Sequence, residues 1–166
     1  MRRWPSISAL PVPHTSLRAL FVAESSDDLE LIRQGLSQHG FQVQSRVIGT
    51  HAEFLEALQE GPWDVVLGDH SMKAVTSAEA LHLLREHDAD IPFIVVSNTI
   101  DEDALVEATR SGGQDHVLTT NLRQLGPTVE REVREAANRR MRRSTQAALQ
   151  GWNIACGTRN PRKPEA

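Results

Sequence analysis

Residues 63–70 have the sequence Trp-Asp-Val-Val-Leu-Gly-Asp-His, and this stretch decides the fold. Its centre, residues 65–67, is an apolar run without a polar interruption, which is typical of a strand buried on both faces of a parallel sheet. The run leads to a carboxylate, Asp69, where the strand should leave the sheet, and ligands bind at that edge of open α/β sheets. An aspartate after an isolated apolar run more often begins a turn or caps a helix, so the interpretation of Asp69 depends on the rest of the chain.

The composition is that of a globular protein with one domain. The chain has 166 residues, of which 39% are hydrophobic and 24% are charged. Its formal net charge of −4 predicts no general affinity for nucleic acid or for an anionic membrane surface. Cys156 is the only cysteine, which excludes an intramolecular disulfide and a cysteine-built metal site and fits a reducing cytoplasm. The sequence contains neither a signal peptide nor an apolar stretch of transmembrane length, so we expect a cytoplasmic protein.

Strand patterns and helix patterns alternate along the chain. Apolar runs predict five strands, and apolar residues at helical spacing predict five helices. Capping-box spacing places three helix starts, at Thr50, Thr76 and Thr99, and Pro127 suits the start of the last helix. Residues 24–28 form a polar loop whose last residues can cap the first helix. Such an alternation requires a parallel sheet with right-handed crossovers and helices on both faces. The predicted strands are residues 17–23, 41–47, 63–68, 91–96 and 115–118.

The two ends of the chain differ from its centre. Residues 1–16 are rich in Pro and Ser without periodicity, which predicts a flexible arm before a domain at 17–137. The last helix is expected to continue as an Arg-rich extension over 138–150, followed by a disordered tail at 151–166. Its alternating charges favour a solvated face with i,i+4 ion pairs; the alternative is a helix that leads to a partner protein or forms a homodimer.

Polar residues gather where the predicted strands end. Glu24 follows the first strand, Asp69 the third, Ser97 the fourth and Thr119 the fifth. If the strand order is 2-1-3-4-5, the first and third strands are neighbours at the point where a crevice forms, so Glu24 and Asp69 face each other across it. Two adjacent carboxylates repel unless a cation lies between them or one is protonated. Carboxylate oxygens beside open water positions suit Mg²⁺.

The chain resembles the receiver domains of two-component response regulators over residues 17–137. The similarity is most specific in residues 63–69, 91–97 and 115–118. It implies a flavodoxin-like, doubly wound sheet of five parallel strands. It also implies that Asp69 accepts a phosphoryl group from a histidine kinase or a phosphotransfer protein.

The resemblance implies roles for other residues at the strand ends. Ser97 matches the hydroxyl residue that hydrogen-bonds the phosphoryl group and moves when it arrives. Glu24 matches an acidic residue that binds Mg²⁺ directly together with Asp69, and Ser71 matches the residue whose main-chain carbonyl also coordinates the metal. His116 stands at the position of the aromatic residue that swings inward on activation.

Several residues depart from the family's usual pattern. Ala23 replaces the first of two acids, and Glu24 stands where aspartate is commoner. Thr119 replaces the lysine that pairs with the phosphoryl oxygens, and Lys73 and Ser77 replace the Pro and Gly of the loop after the third strand. Losing the lysine removes a charge-assisted hydrogen bond worth roughly 1.5–3 kcal/mol. We therefore expect Mg²⁺ binding to be weak.

The residues and the resemblance together predict a stand-alone receiver that is phosphorylated on Asp69 and signals to an unknown output protein. Such a protein is a phosphoacceptor signalling domain and not a dedicated enzyme, since its catalysis is limited to self-catalysed phosphotransfer and dephosphorylation. The alternative is a pseudo-receiver, a protein-interaction module that works without phosphorylation, which Ala23 and Thr119 favour. The chain has no P-loop and no Gly-x-Ser-x-Gly elbow, and its histidines are too scattered for a metal site.

Overall fold

The computed structural model describes residues 15–24, 27–69, 73–98, 106 and 115–156, so most of the predicted arm and tail lie outside it. The predicted helix over residues 101–110 also lies outside the described residues, except for Val106, which is helical. The strands are β1 (Thr15–Val22), β2 (Phe41–Ile48), β3 (Val65–Asp69), β4 (Phe93–Ser97) and β5 (Asp115–Leu118). The helices are α1 (Asp27–Gln38), α2 (His51–Gln59), α3 (Ser77–His87) and α4 (Leu125–Cys156), with a 3₁₀ helix at Thr119–Gln124.

The five strands form one parallel sheet in the order β2-β1-β3-β4-β5. This confirms the predicted doubly wound α/β fold. β1 lies beside β3 with Phe21 opposite Leu67, and β4 lies on the other side of β3 with Val96 opposite Asp69. The carboxyl ends of the central strands therefore meet at one edge, where the strand order reverses.

The residues directly before β3 join it to its neighbours. Asp64 Oδ2 accepts a hydrogen bond from the Arg18 N–H at 2.8 Å, and the Asp64 N–H donates to the Arg18 carbonyl at 2.8 Å. Trp63 is buried and donates from Nε1 to the Ala57 carbonyl at 2.7 Å. The Arg18 guanidinium lies 5.0 Å from the centre of the Trp63 ring. Trp63 and Asp64 thus connect the central strand to β1 and α2 and help to set its register.

Apolar side chains form two clusters, one on each face of the sheet. Val66 packs with α2 and α3, whereas Val65 and Leu67 pack with α1 and α4. Since side chains alternate along a strand, an unbroken apolar run means that both faces of the strand are covered. Large buried rings contribute to both clusters, Phe54 to the first and Phe21 to the second.

Two of the three predicted helix caps lie within the described residues, and they differ in one bond. At α3 the Thr76 hydroxyl accepts from the Glu79 N–H at 3.2 Å, and the Glu79 carboxylate accepts from the Thr76 N–H at 3.1 Å, which completes the capping box. At α2 the Thr50 hydroxyl accepts from the Glu53 N–H at 3.3 Å, but the Glu53 carboxylate accepts from the Gly49 N–H at 2.9 Å. The Gly49 bond lowers the pKa of the Glu53 carboxyl.

α4 is longer than the sequence predicted. It begins at Leu125, directly after the 3₁₀ helix, and Pro127 lies in its first turn. It continues past Gly151, where we expected a disordered tail to begin, and ends at Cys156. A glycine costs only about 1 kcal/mol in a helix, which does not suffice to end one. The other boundary also differs, because β1 begins at Thr15, inside the segment predicted as a flexible arm.

Three arginines of α4 form ion pairs with the turn before β4. Arg143 Nη1 lies 3.1 Å from Asp90 Oδ2, and Arg139 Nε lies 3.7 Å from Asp90 Oδ1. Arg140 Nη2 lies 3.1 Å from Asp88 Oδ2. Asp90 is buried, and its Oδ1 accepts no hydrogen bond from the described residues. We call these five residues the arginine clamp. It adds a tertiary contact to the Arg-rich stretch, which also has one of the expected i,i+4 pairs, between Arg139 and Glu135.

Candidate functional site

Asp69 is the last residue of β3, and it is half-buried at the carboxyl edge of the sheet. Val96 lies opposite it on β4, and the next residue, Ser97, ends that strand and is only 2% exposed. Ser97 in turn lies opposite Leu118 of β5, which Thr119 follows. The parallel register thus brings three of the polar strand-end positions to one edge.

Gly68 permits a close contact directly before Asp69. A Cβ built on Gly68 would lie 2.7 Å from Cζ of Phe93 and 3.4 Å from both of its Cε atoms. The Phe93 ring therefore occupies the space that a side chain at position 68 would need. Both residues are buried, so the ring supports the piece of backbone that carries Asp69.

A crevice opens beside Asp69. Its polar lining comes from Asp28, Asn98 and Thr119 as well as from Asp69, and Ala23 lines it at the position of the missing acid. The enclosed volume is about 10 Å³, which holds about one water molecule. Thr119 thus occupies the place expected for the family's lysine but brings no charge. Among the described residues of the lining, the charged side chains are the carboxylates of Asp28 and Asp69.

Glu24 is exposed, and its carboxylate bonds to the loop after β3. Its Oε1 accepts a hydrogen bond from the Lys73 N–H at 3.2 Å and another from the Ala74 N–H at 3.4 Å. Glu24 is not among the described residues that line the crevice beside Asp69, and one of its oxygens already has two donors. Ser71, the predicted carbonyl ligand, lies outside the described residues.

The remaining predicted position, His116, is part of β5. It lies opposite Val95 and is half-buried. The neighbouring residue Val117 faces the cluster with α1 and α4, so alternation directs His116 to the other face of the sheet. The structure does not bring His116 into the lining of the crevice beside Asp69.

Sequence reasoning missed Asp28 and Asn98. It interpreted residues 27–28 as the cap of α1, and they are its first two residues. The loop from β1 to α1 is short, so the first turn of the helix also lines the crevice at the end of the strand. Asn98 could have been predicted to lie at this site, because it follows Ser97 directly and strand-end residues gather at this edge.

The donors around the crevice have the chemistry that Mg²⁺ prefers. Carboxylate oxygens come from Asp69 and Asp28, which both line it, and Glu24 is a further acid directly after the end of β1. Within the ranges that the structure covers, no group of three or more His, Cys, Asp or Glu residues is arranged to hold a metal. A metal held by these residues therefore keeps several water ligands, as Mg²⁺ usually does.

Comparison with known proteins identifies the family. The model of the response regulator receiver domain matches residues 19–125. The chain belongs to this family. The transcriptional regulatory protein PrrA of Mycobacterium bovis is 32% identical over 104 residues, which is 63% of this chain and 44% of that protein. The luminescence regulatory protein LuxO of Vibrio campbellii is 27% identical over 116 residues, 69% of this chain and 25% of that protein. The chain thus spans less than half the length of these relatives.

Solved receiver domains share the fold. A CheY-like receiver domain from Methanospirillum hungatei has a TM-score of 0.62 and 18% identity, covering 75% of this chain and 99% of that one. The receiver domain of a sensor histidine kinase from Pseudomonas aeruginosa, with a magnesium ion coordinated in its active site cleft, has a TM-score of 0.60 and 13% identity, covering 72% and 98%. Receiver domains are signalling domains and not classical enzymes.

None of the described helices is long and apolar enough to cross a membrane.

Proposed function

We propose that this receiver domain accepts a phosphoryl group on Asp69 from the phosphohistidine of a histidine kinase or a phosphotransfer protein in two-component signal transduction. The supporting observation is the position of Asp69, half-buried at the end of β3 in a crevice that Thr119 also lines. Ser97 ends the adjacent strand one register position further along. The crevice thus has a carboxylate and a hydroxyl in its lining, and Ser97 ends the neighbouring strand at the same edge of the sheet.

The transfer exchanges one bond to phosphorus for another. The P–N bond of the phosphohistidine breaks while a carboxylate oxygen of Asp69 forms a P–O bond, and the imidazole leaves with the electron pair of the broken bond. Water later hydrolyses the acyl phosphate, which restores the Asp69 carboxylate and releases inorganic phosphate. The domain contributes position and charge to both steps, so each is self-catalysed on the receiver side.

Charge around Asp69 limits the reaction. Phosphoaspartate carries a charge of roughly −2, and Asp28 lines the same crevice with a further negative charge. Mg²⁺ held by the predicted ligands Asp69 and Glu24, together with water, would supply the positive charge that offsets this repulsion. Ser97 donates a hydrogen bond to a phosphoryl oxygen, and Thr119 offers a hydroxyl without charge. We expect weak metal binding and slow transfer as a result.

Intact-mass measurement with acetyl phosphate and Mg²⁺ tests the proposal. The wild type should slowly gain one phosphoryl group, and Asp69→Asn should gain none. Thr119→Lys should raise the phosphorylated fraction or the rate about ten- to a hundredfold, because it returns a charge-assisted hydrogen bond worth roughly 1.5–3 kcal/mol. If neither the wild type nor the Thr119→Lys variant is modified, Asp69 is not a phosphoacceptor.

The losses at Ala23 and Thr119 favour a second candidate function. A domain without the first acid and the lysine can serve as a phosphorylation-independent interaction module, with Asp69 as a structural residue. Beryllium fluoride, which mimics the phosphoryl group, separates the two functions. Mg²⁺-dependent shifts of the Asp69 and Ser97 amide signals on its addition support the phosphoacceptor, and their absence at saturating Mg²⁺ supports the pseudo-receiver.

A groove beside the crevice supports docking of the phosphoryl donor. It lies between α1 and the 3₁₀ helix, has a volume of about 700 Å³ and is lined by Leu31, Gln34, Leu122 and Thr119 among others. Thr119 also lines the crevice of Asp69, so a protein seated in the groove lies next to the phosphoacceptor. Leu31 is 49% exposed, and Leu31→Glu should slow transfer from a protein donor without changing the reaction with acetyl phosphate. Equal slowing of both reactions would count against docking here.

Four expectations remain predictions from the sequence. They are an output protein, a homodimer, a cytoplasmic location, and no binding to nucleic acid or membranes. Exposed apolar side chains on α4, Met141, Leu149 and Trp152, are available for contact with a partner. Analytical ultracentrifugation with and without phosphorylation would measure self-association directly. A monomer under both conditions would exclude the homodimer.

A further inference from the structure

The loop between β3 and α3 is held at two adjacent points. Val75 is 1% exposed and belongs to the apolar cluster with α2 and α3. Lys73 and Ala74, directly before it, are exposed, and their main-chain N–H groups both donate to Oε1 of Glu24. The buried side chain and the carboxylate therefore fix the same short stretch, one from the core and the other from the end of β1.

We propose that Glu24 is a positioning residue: its carboxylate anchors the loop between Asp69 and α3. A second role of Glu24 as a metal ligand rests on the proposed function. The anchor does not, because both of its bonds are present between protein groups alone. The resemblance to the family implied only that Glu24 is a metal ligand.

The length of the glutamate side chain accounts for the anchor. Glu24 joins the end of β1 to amides that lie 49 and 50 residues further along the chain, and aspartate, with one methylene less, has a shorter reach. Hydrogen bonds from N–H groups to a carboxylate are charge-assisted and stronger than bonds between neutral groups. Two donors occupy both lone pairs of Oε1 and thereby orient the whole carboxylate toward the loop.

Two substitutions separate the anchor from the metal ligand. Glu24→Gln keeps a carbonyl oxygen of the same reach but removes the charge, so it should keep the loop bonds and weaken Mg²⁺ binding. Glu24→Asp shortens the side chain but keeps the charge, so it should lose the loop bonds and retain or strengthen Mg²⁺ binding. Glu24→Ala should lose both. If Glu24 had a purely structural role, these two substitutions would not have opposite effects on the loop bonds and on Mg²⁺ binding.

Hydrogen exchange at the Lys73 and Ala74 amides, followed by NMR without metal, measures the anchor. Exchange should be about two- to tenfold faster in Glu24→Asp and Glu24→Ala than in the wild type or Glu24→Gln, as expected for the loss of one hydrogen bond at each amide. A titration with MgCl₂, followed by the Asp69 amide shift, measures metal affinity. Glu30→Gln removes an exposed acid from α1 and serves as the matched control that should change neither readout.

The outcomes are distinguishable. Equal exchange in the wild type and Glu24→Ala, or faster exchange in Glu24→Gln than in Glu24→Asp, would overturn the anchor. If Asp69 does not respond to Mg²⁺ in any of the proteins, the metal part of the proposed function fails, while the metal-free comparison still decides the anchor.

Discussion

Gly68→Ala is a small change that should disturb β3, the strand that ends on Asp69. The added methyl carbon would lie 2.7 Å from Cζ of Phe93. Carbon atoms in favourable contact lie about 3.5–4.0 Å apart, so the ring or the strand has to move by roughly 1 Å. Phe93 is 4% exposed within the cluster that contains α2 and α3, so its neighbours resist the movement.

The expected loss follows from this overlap. Overpacking a buried site costs about 1–3 kcal/mol of the free energy of unfolding. For a chain of 166 residues that corresponds to a fall in Tm of roughly 2–12 °C. Phe93→Leu removes the ring atoms that meet the methyl group, so the double substitution should be less destabilising than the sum of the two single ones. Since Asp69 follows Gly68 directly, phosphorylation by acetyl phosphate should also slow.

Urea denaturation followed by circular dichroism gives the free energies. Gly151→Ala is the matched control, because a Cβ built at this position of α4 meets nothing within 4 Å and helix propensity predicts a gain of up to about 1 kcal/mol. The reasoning is refuted if Gly68→Ala is as stable as the wild type. Strict additivity of Gly68→Ala and Phe93→Leu would likewise show that the contact with the ring is not the cause.

Two further predictions concern charges away from the crevice. Replacing Arg139 and Arg143 by glutamine removes two cations from the buried Asp90 carboxylate and should lower the free energy of unfolding by roughly 1–3 kcal/mol. Arg142→Gln is the matched control and should change it little. Urea denaturation of the wild type and the two variants measures the difference. A backbone hydrogen bond lowers the pKa of Glu53 from its ordinary 4.5, so its contribution to stability is present above that value and is lost as the pH falls through the lowered pKa. Glu53→Gln should therefore flatten the decrease of Tm with falling pH in this range, and an unchanged slope would contradict the assignment.

The features that depend on burial and period could be predicted from the sequence. An unbroken run at residues 65–67 required cover on both faces, and the structure divides these side chains between two clusters. The alternation of strands and helices required parallel pairing, and it also placed Asp69 and Ser97 at the same edge. These inferences succeed because a strand's side chains alternate whatever surrounds them.

Partners that are distant in the sequence could not be predicted. The spacing of charges along α4 indicates local i,i+4 pairs, but Arg140 pairs with Asp88, 52 residues away. Glu24 was interpreted as a metal ligand. Its hydrogen bonds to main-chain amides 49 and 50 residues away could not be recognised from the order of residues. Asp28 was taken for a helix cap although it also lines the crevice. A polar side chain can bond to water, to a metal or to a distant part of the protein, and its residue type alone only weakly predicts which of these it contacts in the folded chain.

The 3₁₀ helix at Thr119–Gln124 connects the crevice to α4 without an intervening loop. With 32 residues and a rise of about 1.5 Å per residue, α4 is about 48 Å long. The arginine clamp holds it near its middle, roughly 24 Å from its first residue. A helix held in this way is a lever with its pivot at the turn before β4. A sideways shift of about 1 Å in the first turn, which the 3₁₀ helix joins to the crevice, moves the exposed far end by a similar distance in the opposite direction.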